Sequence, residues 1–314
     1  MPTTDGLPQR SLATLPRACP HVRTLVKHDD VRGFVSEVHR VSTERADQSA
    51  LTVRAILLAQ GARAGCVEVG SDGAKTVVVL RGGADVVLAD PSGALSIQPV
   101  AVDERLFVPR AWSCAVTFTT AQTTCLILTS EESAAANPRV VPTRRLGIDG
   151  LELRRAETTR AAGALVRHVY GGRGGHPFSF AQVNVLANVR GATRGFHNEG
   201  FGKYVGVLDG SAVARIIDLR PHSPSRGATD EIVLSGHDFV YVPPGCAHGF
   251  QAQQRDTQYL LCFDAEWQPA RRYDMLGLHA LGLWPLNPIA VPRDLEGPSL
   301  ARYMTMRRGS RAAA

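Results

Sequence analysis

The sequence predicts an all-β protein built of two barrels in tandem, and three observations carry that expectation. First, short runs rich in β-branched and aromatic residues recur about every ten residues. Gly, Pro, Asp or Ser clusters separate them, as in sandwiches and barrels. The clearest are Thr76–Leu80, Asp85–Leu88, Leu106–Val108, Cys125–Leu128, Tyr204–Leu208, Ala212–Ile217, Asp238–Val242 and Tyr259–Phe263. Second, no amphipathic helical period persists, apart from short pieces near Glu131–Ala136 and Pro298–Met306. Third, the halves repeat one pattern. TVVVLRGGADVVLADPSG leads on to LFVPRAWSCAVTF, and KYVGVLDGSAVARIIDLR leads on to FVYVPPGCAHGF. Each reads as strand, glycine turn, strand, long connection, then a strand ending in Val-Pro. Such a repeat marks two copies of one unit.

The chain has 314 residues, enough for two domains that each bury a core. Ser133–Arg145 (SAAANPRVVPTRR) has no periodicity and reads as the linker. The division is therefore 1–145 and 146–314. Hydrophobic residues are 44% and charged residues 20%, ordinary for a globular chain. No run of 18 apolar residues exists, so no membrane span is expected. The first twenty residues lack the apolar segment of a signal peptide and read as a loose leader. Net charge is +6, but the arginines are scattered and aromatics are 6%, which argues against nucleic acid and leaves either an Arg-rich surface or arginines that serve an anionic small molecule. The six cysteines (Cys19, Cys66, Cys114, Cys125, Cys246, Cys262) show no CxxC spacing, and several lie in apolar runs. That usage fits a reducing cytoplasm and no structural zinc.

The second half carries an ordered series of motifs: FAQVNV, TRGFHNEGFGKYV, IIDLRPHSPSRG, VYVPPGCAHGF, YLLCFDAEWQP, LWP and PRDLEGPSL. In order and spacing it resembles the dTDP-4-keto-6-deoxysugar 3,5-epimerase family. The resemblance implies a jelly-roll barrel of the cupin type, so the repeat makes the chain a bicupin. It also implies a nucleotide-sugar substrate, no cofactor and proton removal at C3 or C5, beside a ketone. That chemistry needs a base tuned near neutral pH and a donor for the enolate oxygen. By the resemblance His197 is the base, Asp294 orients it, and Lys203 faces the enolate. His248 lines the same pocket. Arg194, Gln182 and Arg220 match diphosphate and nucleotide contacts. The family's tyrosine, which returns a proton to the opposite face, falls on Leu261. Tyr259, two residues earlier on the same strand face, is the candidate substitute, with Tyr204 or water as alternatives.

The family also opens on a DxRGxFxE strand that its dimers use to reach a neighbour's nucleotide. The second half lacks it, whereas the first half has Asp30-Val31-Arg32-Gly33 with Glu37. The expectation is that the first barrel lends this strand to the second, as a fused pseudo-dimer, with Arg32 and Glu37 as substrate contacts. A homodimer is the alternative arrangement. The first half itself resembles the sugar 3,4-ketoisomerase cupins. Where they carry an HAH triplet it has Glu68-Val69-Gly70, and where they carry Trp-His or Trp-Arg it has Trp112-Ser113. It therefore reads as non-catalytic, with a scaffold or gating role. Two other functions stay open for the chain: a non-catalytic sugar-nucleotide-binding cupin, and a metal-dependent cupin enzyme. For the latter, the Pro243–His248 segment supplies one histidine, but only His197-Asn198-Glu199 stands in for an HxH pair.

Overall fold

A computed structural model describes residues 19–40, 53–70, 73–130, 139–140, 146–170, 179–268 and 274–312. The leader, most of the expected linker and the helical piece at Glu131–Ala136 lie outside the described residues. The other expected helical piece is present as Leu300–Ala312.

All eight expected strands form, and antiparallel pairing joins them into four sheets. A seven-stranded sheet runs His21–Thr24, Glu104–Val108, Lys75–Arg81, Thr123–Thr129, Ala55–Gly61, Ala164–Tyr170, Glu157–Ala161. It faces a four-stranded sheet of Cys66–Val69, Ser113–Phe118, Gly83–Ala89 and Leu95–Ala101. An eight-stranded sheet runs Arg139–Val140, Glu152–Arg155, Asp238–Val242, Lys203–Asp209, Thr257–Phe263, Gln182–Asn188, Gly33–Arg40, Val26–Asp30. It faces Thr229–Ser235, Ser211–Asp218, Cys246–Ala252, Thr193–Asn198 and Asp274–Met275. The result is two jelly-roll barrels in one chain.

The repeat has a visible physical basis. In each barrel the chain leaves the large sheet and enters the small one across a single glycine, Gly82 in the first and Gly210 in the second. Their φ angles are +80° and +84°. A side chain at Gly82 would lie 2.3 Å from Thr120 Oγ1, and one at Gly210 would lie 2.7 Å from Thr257 Oγ1. Both the left-handed backbone and the crowding favour glycine.

Burial on both faces explains the unbroken apolar runs. In TVVVL, Val77 and Val79 fill the first barrel, while Val78 joins a cluster between the two large sheets. In YLLCF, Tyr259 and Leu261 face the second barrel, while Leu260 and Cys262 face the same inter-barrel cluster. The solvent-facing edge strand Thr229–Ser235 instead alternates strictly between exposed and buried positions. Tyr170, Phe180, Tyr204 and Phe239 form the aromatic centre between the barrels, with Tyr204 and Phe239 stacked at 5.6 Å.

The barrels exchange hairpins. The hairpin of Val26–Asp30 and Gly33–Arg40 pairs through its second strand onto Gln182–Asn188 of the second barrel, in a register from Gly33–Asn188 to Arg40–Gln182. In return, the hairpin of Glu157–Ala161 and Ala164–Tyr170 pairs through its second strand onto Ala55–Gly61 of the first. The first half thus lends a strand to the second, as its DxRG motif led us to expect.

Candidate active site

The second barrel encloses a cavity of about 490 Å³. Period-two alternation supplies most of its wall. Gln182, Asn184 and Leu186 point in from one strand, His248 and Phe250 from another, and Leu261 and Phe263 from a third. Arg194 and His197 also both line it, although residues three apart on a regular strand face opposite ways. A break in register between them, a bulge against the His248–Phe250 strand, turns both side chains inward. The spacing of the Arg-Gly-Phe-His motif therefore encodes a bulge, and Phe196 is left facing the outer cluster with Trp284.

His197 keeps a quarter of its side chain open to the cavity. Behind it lies Asp294, fully buried, with Oδ1 3.5 Å from His197 Nε2. The other carboxylate oxygen, Oδ2, accepts a 2.6 Å bond from Arg32 Nη1. Burial pushes the Asp294 carboxyl up. The His197 contact, with Arg32 and Arg293, outweighs it and holds the group below the usual carboxylate range.

Lys203 is not among the lining residues. It is buried behind two that are, His248 and Glu199. Its Nζ ion-pairs with Glu199 and lies 3.0 Å from His248 Nδ1. Burial pushes the Glu199 carboxyl up, but the Lys203 charge beside it leads the groups that pull it down to about 2. Burial and the Lys203 charge hold His248 well below the usual imidazole value, so that ring is neutral. An ammonium can only donate, so Nδ1 accepts and the His248 proton sits on Nε2. In the sequence Glu199 entered only as the stand-in for the second histidine of a metal pair; the signal for its pairing with Lys203 was a carboxylate four residues before that lysine in HNEGFGK.

Arg194 is buried beside the cavity, with Nη1 3.4 Å from Asp30 and Nη2 without a hydrogen-bond partner. Burial and the neighbouring Arg32 lower it to about 10. Gln182 is fixed by the backbone N–H of Trp267 and by Asn184. Glu37 lines the cavity but is engaged by Arg40 at 2.9 Å.

Three expected site residues are placed elsewhere. Arg220 does not line the cavity; it forks onto the buried Asp218 and reaches the carbonyl of Asp149, so its Nε and Nη2 serve a structural turn. Tyr259 shares the inward face with Leu261, but Phe250 lies flat on its ring at 3.9 Å, and the hydroxyl is sealed in with no partner. Tyr204 donates its hydroxyl to the Val169 carbonyl between the barrels. Leu261 occupies the wall at the tyrosine position. Arg32 is present at the site, but its donors go to Asp30 and Asp294. Among the described residues, no three His, Cys, Asp or Glu side chains converge as metal ligands.

Residues 167–301 match the family model described as dTDP-4-dehydrorhamnose 3,5-epimerase. The dTDP-4-dehydrorhamnose 3,5-epimerase of Mycobacterium tuberculosis is 32% identical over 147 residues, which is 43% of this chain and 73% of that protein. The dTDP-4-dehydro-6-deoxyglucose 3-epimerase of Streptomyces bikiniensis is 31% identical, over 40% of this chain and 70% of that protein. Among solved structures, the rmlC epimerase of Mycobacterium tuberculosis is 26% identical with a TM-score of 0.48, covering 52% of this chain and 90% of that one. The chain therefore belongs, through its second half, to the dTDP-4-dehydrorhamnose 3,5-epimerase family.

Proposed function

We propose that the second barrel removes a proton from the carbon beside the ketone of a dTDP-linked 4-keto-6-deoxyhexose and so epimerises it. The observation that carries this reading is the His197–Asp294 pair at the wall of a cavity that Arg194, Arg40 and Arg293 also line. In that reading His197 takes the proton, and Asp294 supports the imidazolium that forms. His248 offers a neutral Nε2–H to the developing enolate, and Lys203 polarises it from behind. Lys203 thus acts through His248 rather than by touching the sugar. Arg194, whose Nη2 has no hydrogen-bond partner, and Gln182 line the cavity together and suit the diphosphate end.

The test is incubation with dTDP-4-keto-6-deoxyglucose in deuterated water, read by proton NMR. Deuterium entering C3 or C5, and lost in His197→Asn with the affinity for dTDP retained, supports the reading. No exchange at any enzyme concentration would sink it.

One observation favours a second reading of the stereochemistry. Leu261 cannot give a proton, and Asp30, Glu37 and Glu199 are each engaged by a cation. The returning proton then comes from a lining histidine, His197 or His28, or from solvent. Exchange with retained configuration in the same NMR experiment identifies this case, and inversion at C3 or C5 identifies the first.

A further inference from the structure

We propose that Arg32 is a positioning residue of the His197–Asp294 pair, holding Asp294 charged and turned so that one oxygen faces the histidine. The inference rests on the reading of His197 as base, and it reassigns a residue that the DxRG motif made a substrate contact.

A carboxylate with no solvent exposure, as Asp294 has, is unfavourable unless its charge is compensated and its oxygens are bonded. The segment that carries it supplies only Arg293, which is largely exposed and stands 3.5 Å from Oδ1. Pro292–Leu295 is a single helical turn without a side-chain cap, too short to hold its own geometry. Arg32 supplies what is missing. Its Nη1 takes Oδ2 at 2.6 Å, leaving Oδ1 without a hydrogen-bond partner, 3.5 Å from His197 Nε2 and 3.5 Å from Nε of the largely exposed Arg293. One carboxylate oxygen is thus held by the buried Arg32 guanidinium, and the other faces the imidazole with Arg293 beside it.

Arg32 is itself fixed. Asp30 accepts its backbone N–H at 2.8 Å, its Nε at 3.0 Å and its Nη2 at 2.5 Å. The side chain is 4% exposed. Three of its nitrogens are therefore committed, and no open fork remains for a phosphate. The residue sits at the turn of the lent hairpin, 262 positions from Asp294. The first half of the chain thereby reaches the acid of the second half's pair. The ionisable groups on the elements packed around Asp294 are Asp30 and Arg32 on the hairpin, and Arg194 and His197 on the bulged strand. Arg293 lies on its own turn, and His279 on the adjoining 3-10 turn.

The experiment uses the full chain and Arg32→Gln, with Arg32→Lys as the charge-retaining control. Exchange kinetics, dTDP affinity by calorimetry and carbon-13 NMR titration of the Asp294 carboxyl are measured together. The expected result for Arg32→Gln is a kcat lower by about 10- to 100-fold, with KM and the dTDP Kd within twofold of the parent. The Asp294 titration midpoint moves to higher pH, Arg32→Lys recovers much of both effects, and Arg32→Gln adds nothing further in an Asp294→Asn background. A tenfold weaker dTDP Kd with kcat unchanged would make Arg32 a phosphate contact and overturn the proposal. Losses that simply add to those of Asp294→Asn would make it a generic structural residue and overturn it equally. Should the parent protein show no exchange, the epimerase reading fails. The titration then decides this proposal alone, an unmoved Asp294 midpoint refuting it.

Discussion

Replacing Tyr259 by phenylalanine separates two accounts of the site. Tyr259 has no solvent exposure, its ring is stacked on Phe250, and its hydroxyl meets no donor or acceptor. A buried hydroxyl without a partner costs roughly 1–3 kcal/mol. Phenylalanine keeps the ring, its stacking and nearly all of its volume while removing that oxygen. Tyr259→Phe is therefore expected to stabilise the chain by about 1–3 kcal/mol. An unfolding entropy of about 2.1 cal/mol/K per residue gives about 0.66 kcal/mol/K for 314 residues. The midpoint should rise by roughly 2–5 °C, read by differential scanning calorimetry. Deuterium exchange into the keto-sugar should be unchanged.

If Tyr259 were the proton donor, the outcome would be the reverse. Loss of a positioned general acid costs about 10²–10⁴ in rate, and the hydroxyl would have to reach past Phe250 to act. A Tyr259→Phe protein that folds normally and loses exchange by that factor would refute the placement of this residue. Its strand pairs in unbroken register with Gln182–Asn188, Leu186 opposite Tyr259 and Asn184 opposite Leu261. No slip is available to carry the tyrosine forward by two positions.

Other perturbations test the remaining assignments. Lys203→Ala leaves Glu199 buried and unpaired, and should cost about 3–5 kcal/mol in urea unfolding; the double change Glu199→Gln with Lys203→Met should recover most of it. Arg220→Ala should lower the melting temperature, because Asp218 loses its fork, yet leave the dTDP Kd within twofold. Acid should destabilise the fold. Asp30 and Glu199 are held at about 2, and Asp294 below its usual value. A depressed folded-state pKa gives stability that is present above the unfolded value and lost as pH falls through the folded one. Urea midpoints should therefore drop steeply between about pH 4.5 and pH 2; a flat profile in that window would contradict the ion pairs.

The strands were legible because both large sheets are buried on two faces, which turns alternation into continuous runs such as TVVVL and YLLCF. The His197–Asp294 pair, proposed above as base and supporting acid, was legible through ordered motifs. Hidden from sequence were the partners of charged groups. Nothing local shows that Arg32 bonds to Asp294 rather than to a ligand, since the two lie 262 positions apart. Arg220 stands two residues from Asp218 in DLR, a spacing equally open to a structural pair and to a ligand contact; the geometry gives the pair. Tyr259 has the correct facing for the cavity, and only the ring of Phe250, nine residues before it, closes it off. Facing follows from period two, whereas access depends on what packs in front.

The hairpin exchange gives the first barrel a purpose that requires no reactive side chain of its own. Its interior is filled by Leu57, Val67, Val77, Val86, Val116 and Phe118, among others, where a ligand would otherwise sit. Its outer edge, however, holds the lent hairpin in place. His21–Thr24 pairs within the first barrel's own sheet, Leu25 turns into the inter-barrel core, and the chain then enters the second barrel as Val26–Asp30. Lys27 is paired with Asp103 at 2.5 Å, the Leu25 N–H donates to the Asp103 carbonyl, and Arg105 donates to the carbonyl of Val38. Asp103 and Arg105 belong to the first barrel, so the hairpin is anchored there and presented to its neighbour. It contributes seven of the twenty residues that line the cavity, Arg32 among them. The first barrel can therefore be needed at the site, because it fixes one wall of the neighbouring cavity and the cation behind Asp294.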